Sequence, residues 1–149
     1  ELEPAQRYYY EAYLARCYVM TGQKEEAKMH GQAALDNLEK SGRTIEDHVG
    51  FRAYGSARLS NLAWIYLALG EREKGEQLLL KMQTQKPCKD CAFKGCFESF
   101  LYLGRYYESL GEMEKALEYL EKTQEINPFC MEAVQAKEHI LKQIEEERH

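Results

Sequence analysis

The amino-acid sequence predicts an all-α fold of paired helices, because one short turn motif recurs three times along the chain. The three turns read Gly22-Gln23-Lys24-Glu25, Gly70-Glu71-Arg72-Glu73 and Gly111-Glu112-Met113-Glu114. Glycine readily adopts the left-handed conformation that ends one helix, and acidic side chains favour the positive N-terminus of the next. All three prolines also fall where a helix would begin or has just ended.

The apolar periodicity around these turns predicts seven helices in order. The first hairpin takes residues 4–21 and 24–40, the second 48–69 and 71–85, the third 97–110 and 113–126, and a last helix takes 131–147. The repeats are thus about 4–42, 48–87 and 97–128, and the last helix, apolar on one side, caps the open end of the stack. We interpret residues 1–149 as one domain, and as a fragment of a longer protein because the sequence begins at Glu1 without a methionine.

Large and small residues stand at fixed offsets in the third hairpin: Phe100, Leu103, Gly104, Tyr107, Gly111, Ala116, Leu120 and Pro128. This pattern resembles the tetratricopeptide (TPR) repeat, with its W-x2-L-G-x2-Y, A-x3-F and P signature. The second hairpin repeats it at Leu59, Leu62, Ala63, Tyr66, Gly70, Gly75, Leu79 and Pro87. The first hairpin follows it more loosely, at Leu14, Ala15, Tyr18, Gly22, Ala27, Gly31 and Ala34.

The TPR resemblance implies a right-handed superhelix of three helical hairpins with a C-terminal capping helix. Small residues at Ala15, Ala63 and Gly104 would let paired helices approach closely, and the tyrosine that follows each of them by three residues would fill the space between repeats. TPR arrays are binding scaffolds, so we expect the concave groove to hold a protein or peptide segment.

By this resemblance, the first helix of each hairpin lines the groove. The predicted groove residues are Tyr9, Arg16, Ser60, Asn61, Trp64, Glu98, Leu101 and Arg105. Two guanidinium groups flanking the Trp64 indole would suit an extended peptide with a carboxylate and a large apolar side chain. The alternative is that Trp64 packs under the neighbouring repeat and that both arginines are solvated or paired with Glu98 or Glu108.

The groove does not match the TPR clamp that grips the C-terminal carboxylate of heat-shock chaperones. Of the five clamp positions, occupied here by Ala12, Arg16, Asn61, Glu98 and Tyr102, only Asn61 carries the expected residue type. The Glu98 carboxylate would also repel the ligand's carboxylate.

Four cysteines form a second constellation: Cys88, Cys91 and Cys96 between the second and third repeats, and Cys130 after the third. Equivalent loops of adjacent repeats lie along one edge, so a structural zinc site of four thiolates is one interpretation. Reduced loop cysteines and a disulfide are the others, and the sequence leaves the metal and the cofactor undecided.

Composition and motifs restrict the class of function. The chain has 149 residues, of which 44% are hydrophobic, and its net charge of −5 argues against binding to a nucleic-acid backbone. It contains no apolar run long enough to span a membrane and no signal-like segment at its start, so we expect a cytoplasmic protein. The four histidines, His30, His48, His139 and His149, fall on separate elements, and no nucleotide-binding or hydrolase motif occurs.

The sequence therefore predicts a non-enzymatic scaffold that binds a protein or peptide segment, without nucleic-acid or membrane partners. An alternative is a regulatory or substrate-positioning module of a larger enzyme or transcription regulator, acting through homo-oligomerisation. A third interpretation makes the cysteine cluster a zinc-responsive or redox-responsive module.

Overall fold

The computed structural model describes residues 2–44, 55–84 and 92–149. Within them the chain forms seven α-helices and no β-strand. The helices are α1 (Pro4–Met20), α2 (Lys24–Lys40), α3 (Gly55–Ala68), α4 (Arg72–Lys81), α5 (Phe97–Ser109), α6 (Met113–Ile126) and α7 (Met131–Glu147), and a 3-10 turn, Met82–Thr84, follows α4. The predicted all-helical class is confirmed for the described part of the chain.

The predicted helix boundaries agree closely with these helices wherever both can be compared. The helices predicted at 24–40, 113–126 and 131–147 have the bounds of α2, α6 and α7. The predicted start at residue 48, and positions 85 and 87 at the end of the second repeat, lie outside the described residues.

Each turn glycine has the left-handed conformation that the sequence predicts, with φ angles of 75° at Gly22, 83° at Gly70 and 79° at Gly111. In all three turns, the residue after the glycine donates its backbone N–H to the carbonyl of the tyrosine four residues before the glycine. These bonds join Gln23 to Tyr18, Glu71 to Tyr66 and Glu112 to Tyr107, with N···O distances of 2.9, 2.9 and 3.0 Å. This 6→1 bond satisfies a helix-terminal carbonyl and sets the same sharp reversal in every hairpin.

The helices pack as three hairpins, α1 with α2, α3 with α4 and α5 with α6, followed by α7 against α6 and α5. Both α1 and α2 contact α3, and α4 contacts α5. In addition, α1 contacts α5 directly, although these helices belong to the first and third hairpins. The side formed by α1, α3, α5 and α7 is called the first-helix face below.

Small residues set the spacing within hairpins. Ala15 and Ala63 are fully buried, and a Cβ atom added to Gly104 would lie 2.8 Å from Leu120 Cγ and 3.3 Å from the carbonyl oxygen of Ala116. Even a methyl group at position 104 would therefore push α5 away from α6. The predicted close approach at these positions is confirmed.

The apolar core is continuous from α3 to α7 and divided in the first hairpin. One large cluster includes Leu59, Trp64, Leu103, Leu120 and Ile140. The first hairpin instead contributes two small clusters, one around Tyr8 and Leu38 and one around Ala15 and Ala27. None of the described helices is both long enough and apolar enough to cross a membrane.

Candidate functional site

Three side chains from three different hairpins meet at the centre of the first-helix face. The Arg16 guanidinium lies 4.5 Å from the centroid of the Tyr102 ring and 6.0 Å from that of Trp64. Arg16 Nη1 also donates to the Tyr102 hydroxyl at 3.3 Å, and the Trp64 and Tyr102 rings meet edge to face with centroids 5.7 Å apart. These contacts join α1 to α5 across α3.

The direct contact between α1 and α5 buries Trp64, whose exposed fraction is 1%. The expectation that its indole lies open in a groove is therefore wrong, and the alternative, that it packs under its neighbours, describes this residue. A buried indole cannot touch a ligand in this conformation. Its contribution is to the packing between hairpins.

Burial also governs the chemistry of Tyr102. Removal from solvent, together with the nearby carboxylates of Glu98 and Glu132, raises the pKa of Tyr102 to about 12, although the Arg16 charge opposes the rise. The Tyr102 hydroxyl donates to Glu98 Oε2 at 3.3 Å. Tyr102 thus stays a neutral hydrogen-bond donor at physiological pH.

Arg105 forms ion pairs with carboxylates of the same chain. Its guanidinium lies 2.9 Å from Glu108 Oε1 and 3.0 Å from Glu132 Oε1, and Glu108 Oε2 in turn lies 3.4 Å from His139 Nδ1. Arg16 and Arg105 therefore both have partners on the chain itself. The predicted pair of arginines free to receive a carboxylate is not what the described residues form.

The remaining predicted groove residues are spread along the first-helix face. Ser60 and Leu101 are buried, Asn61 is half-buried, and Glu98 is exposed. Tyr9, 38% exposed, packs edge to face on the Tyr8 ring near the start of α1. The eight predicted residues thus do not converge on a single open site.

An open groove of about 450 Å³ lies on this face between α5 and α7. Its lining residues are Met20, Arg105, Glu108, Ser109, Met113, Gln135, Ala136, His139 and Gln143. Arg105 is one of the eight predicted groove residues, and the TPR resemblance also places Met20, Glu108 and Ser109 at groove positions. The lining residues on α7 were not predicted, because α7 was interpreted as a cap. The spacing of Gln135, His139 and Gln143 by four residues could have identified this wall, since such residues share one face of a helix.

The cysteine prediction can be compared with the structure only in part. Cys88 and Cys91 lie outside the described residues, whereas Cys96 and Cys130 precede α5 and α7 as N-cap residues and border the large core cluster. The described residues contain no group of three or more His, Cys, Asp or Glu side chains that could hold a metal ion. The zinc site stays a prediction.

The third hairpin is similar to a known repeat family. Residues 97–130, which comprise α5, α6 and the turn that leads into α7, match the family model of the tetratricopeptide repeat. The predicted TPR resemblance is confirmed for this hairpin, and a repeat of this kind indicates a protein–protein interaction scaffold. No curated protein matches the chain significantly.

Proposed function

We propose that this chain is a non-catalytic scaffold that binds an extended segment of another protein. Its three hairpins would stack as a right-handed TPR-like superhelix in a single domain. After α1, α3 and α5, α7 would be the fourth helix of the first-helix face. The binding site would be the groove between α5 and α7 rather than the Trp64 region. The single observation that carries this proposal is the line of hydrogen-bonding side chains along α7.

Gln135, His139 and Gln143 recur every four residues on α7 and all line the groove. Along a helix axis, four residues rise by roughly 6 Å. An extended peptide advances by roughly 6.6 Å for every two residues. Three successive side chains of α7 can therefore reach alternate peptide groups of one extended chain, which supports binding through the ligand backbone.

The opposite wall supports the same kind of ligand. Ser109 supplies a hydroxyl, while Met20 and Met113 supply flexible apolar surface that adapts to different side chains. The Arg105 charge is already paired with Glu108 and Glu132, so a strongly charged ligand gains little here. The expected partner is thus an extended segment with modest apolar side chains, and not an acidic one.

This proposal can be tested with a random-peptide phage library selected on the purified chain. We expect enriched peptides whose binding weakens at least ~10-fold in Gln135→Arg, which corresponds to about 1.4 kcal/mol. Gln77→Arg is the matched control, since Gln77 is also an exposed helical glutamine, on α4 and outside the groove. Far-UV circular dichroism should be the same for both variants.

Two results would contradict the proposal. One is the absence of any enriched peptide. The other is enrichment of peptides that bind the wild type and Gln135→Arg equally well, because the ligand would then lie elsewhere on the surface.

A further inference from the structure

A cavity of about 340 Å³ lies where the C-terminal ends of α1, α3 and α5 meet the start of α2. All three hairpins contribute to its walls, so the cavity is enclosed by the stack itself. It is distinct from the peptide groove, and Ser109 is the lining residue that the two have in common. Small-molecule sites typically have volumes of about 300–1,000 Å³, so this cavity is large enough for a ligand.

The inside of the cavity is mainly apolar. Leu67 and Ala68 of α3 and Ala27 of α2 line it and are buried, and the half-buried Val19 and Leu69 extend this apolar surface. Water against such walls is released when an apolar molecule takes its place, and this release favours binding. The walls therefore suit a ligand with an apolar body.

Tyr106 adds a polar group to these walls. It is 5% exposed, and its hydroxyl forms no hydrogen bond with a described residue. Ser109, by contrast, already donates its hydroxyl to the Tyr106 carbonyl at 2.6 Å. Burial raises the pKa of Tyr106, although the charge of Arg72 opposes the rise, so the phenol stays protonated at neutral pH. A buried donor without a partner is costly, and an acceptor atom of a ligand would supply that partner.

The mouth of the cavity carries an excess of positive charge. Lys24 and Lys28, four residues apart on α2, are both exposed, and neither forms an ion pair within the described part of the chain. Glu25 is the one acidic residue among the described lining residues, so two lysines face one glutamate in a chain whose net charge is −5. Among the described residues, Gln23 gives the first turn of α2 no side-chain cap, so the N–H groups of that turn also favour an anion.

We propose that this cavity binds a small amphipathic anion. Its apolar body would lie against Leu67 and Ala68, and its anionic group would accept a hydrogen bond from the Tyr106 hydroxyl and be attracted by Lys24 and Lys28. The volume is about twice that of an engineered cavity of roughly 150 Å³ that holds benzene, so it has room for roughly ten carbon atoms. Such a site gives the chain a small-molecule ligand in addition to its peptide partner.

NMR titration of the isotope-labelled whole chain with phenylbutyrate tests this proposal. The probe combines a benzene ring, a short alkyl chain and a carboxylate. The largest amide shifts should occur at Gly22, Gly70 and Leu110, which line the cavity, rather than along α7, with a Kd below roughly 1 mM. Phenylbutyramide is the matched control ligand, because it has the same body without the charge, and it should bind at least ~10-fold more weakly.

Variants separate the local charge at the mouth from the net charge of the chain. Lys24→Gln with Lys28→Gln should weaken phenylbutyrate binding at least ~10-fold. Lys40→Gln with Lys142→Gln is the matched control, since it changes the net charge equally at two exposed lysines outside the cavity, and it should bind normally. Tyr106→Phe, which removes only the hydroxyl, should weaken binding roughly 5-fold.

Several results would overturn the proposal. One is a titration without shifts at the cavity, and another is equal binding of phenylbutyrate and phenylbutyramide. A third is equal weakening by the two lysine pairs, because the attraction would then come from the overall charge. Unchanged binding by Tyr106→Phe contradicts the placement of the anionic group. Gln135→Arg should leave phenylbutyrate binding unchanged, so the peptide groove and the cavity can fail separately.

Discussion

The first and third hairpins share the turn and the helix spacing, yet they fill the space between their helices with different chemistry. In the third hairpin, the rings of Phe100, Tyr107 and Tyr119 pack together. The Tyr119 centroid lies 5.9 Å from that of Phe100 and 5.5 Å from that of Tyr107. This hairpin is also the part of the chain that matches the TPR family model.

When the two hairpins are aligned on their turn glycines, these three positions hold Glu11, Tyr18 and His30 in the first hairpin. Glu11 is 8% exposed, and its Oε2 lies 2.5 Å from His30 Nδ1. The His30 ring stacks on Tyr18 at a centroid distance of 5.2 Å. The comparison teaches that the fold requires volume at these positions and accepts a polar pair there, provided that the buried carboxylate has a hydrogen-bonding partner.

The largest expected difference between the two hairpins is in the stability lost when their equivalent tyrosines are truncated. Tyr107→Ala should lower the free energy of unfolding by roughly 3–5 kcal/mol, because Tyr107 is 4% exposed and the cavity would lie within the large core cluster. Tyr18→Ala should cost about half as much, since Tyr18 is only half-buried. Urea unfolding of both variants measures the two costs, and equal losses would contradict the comparison.

Exchange of the polar pair for the aromatic pair makes the first hairpin resemble the third. Glu11→Phe combined with His30→Tyr should leave stability unchanged or raise it by about 1–4 kcal/mol, because well-packed apolar groups of similar volume avoid the cost of burying the Glu11 carboxyl group. Thermal unfolding provides the measurement.

Single variants at the same pair provide the control. Glu11→Ala should destabilise the chain by roughly 1–3 kcal/mol, because it leaves the imidazole without its partner at this site. If the double variant is less stable than Glu11→Ala, the polar pair has a role in the first hairpin that an aromatic pair cannot replace.

A further prediction concerns alkaline stability, which depends on Tyr102 of α5. Tyr102 has a folded-state pKa of about 12, raised mainly by burial above its ordinary value near 10. Its stabilising contribution is therefore complete below pH ~10 and is lost as pH rises through ~12, by about 2–3 kcal/mol. Urea midpoints between pH ~9 and ~12 should fall less steeply for Tyr102→Phe than for the wild type, and parallel curves would contradict this assignment.

Local features of the fold could be predicted from the sequence because they depend on local chemistry. The bounds of α2, α6 and α7 follow from apolar periodicity and from the turns that flank these helices. The left-handed glycines and the contact of Gly104 with Leu120 follow from the same repeat register. These features need no knowledge of how distant hairpins meet.

The candidate site was harder to predict because it depends on how distant helices approach each other. Register alone placed Trp64 on the first-helix face, but its contacts with Arg16 of α1 and Tyr102 of α5 help to bury it there. The four-residue spacing of Gln135, His139 and Gln143 is visible in the sequence. It was not recognised as one wall of a groove, because α7 was interpreted as a cap. The pairing of Arg105 with Glu132 likewise joins the third repeat to α7, which spacing within one repeat does not reveal.

The contact between Arg16 and Tyr102 should make unfolding of the chain cooperative. Residues 86 positions apart meet there, whereas in an ideal repeat array each unit touches only its immediate neighbours. Such an array can fray one unit at a time, but closure of the first hairpin on the third ties the ends of a long loop together. We therefore expect unfolding as one cooperative event, and Trp64, the chain's one tryptophan, would report it through a single coincident change in fluorescence and helicity.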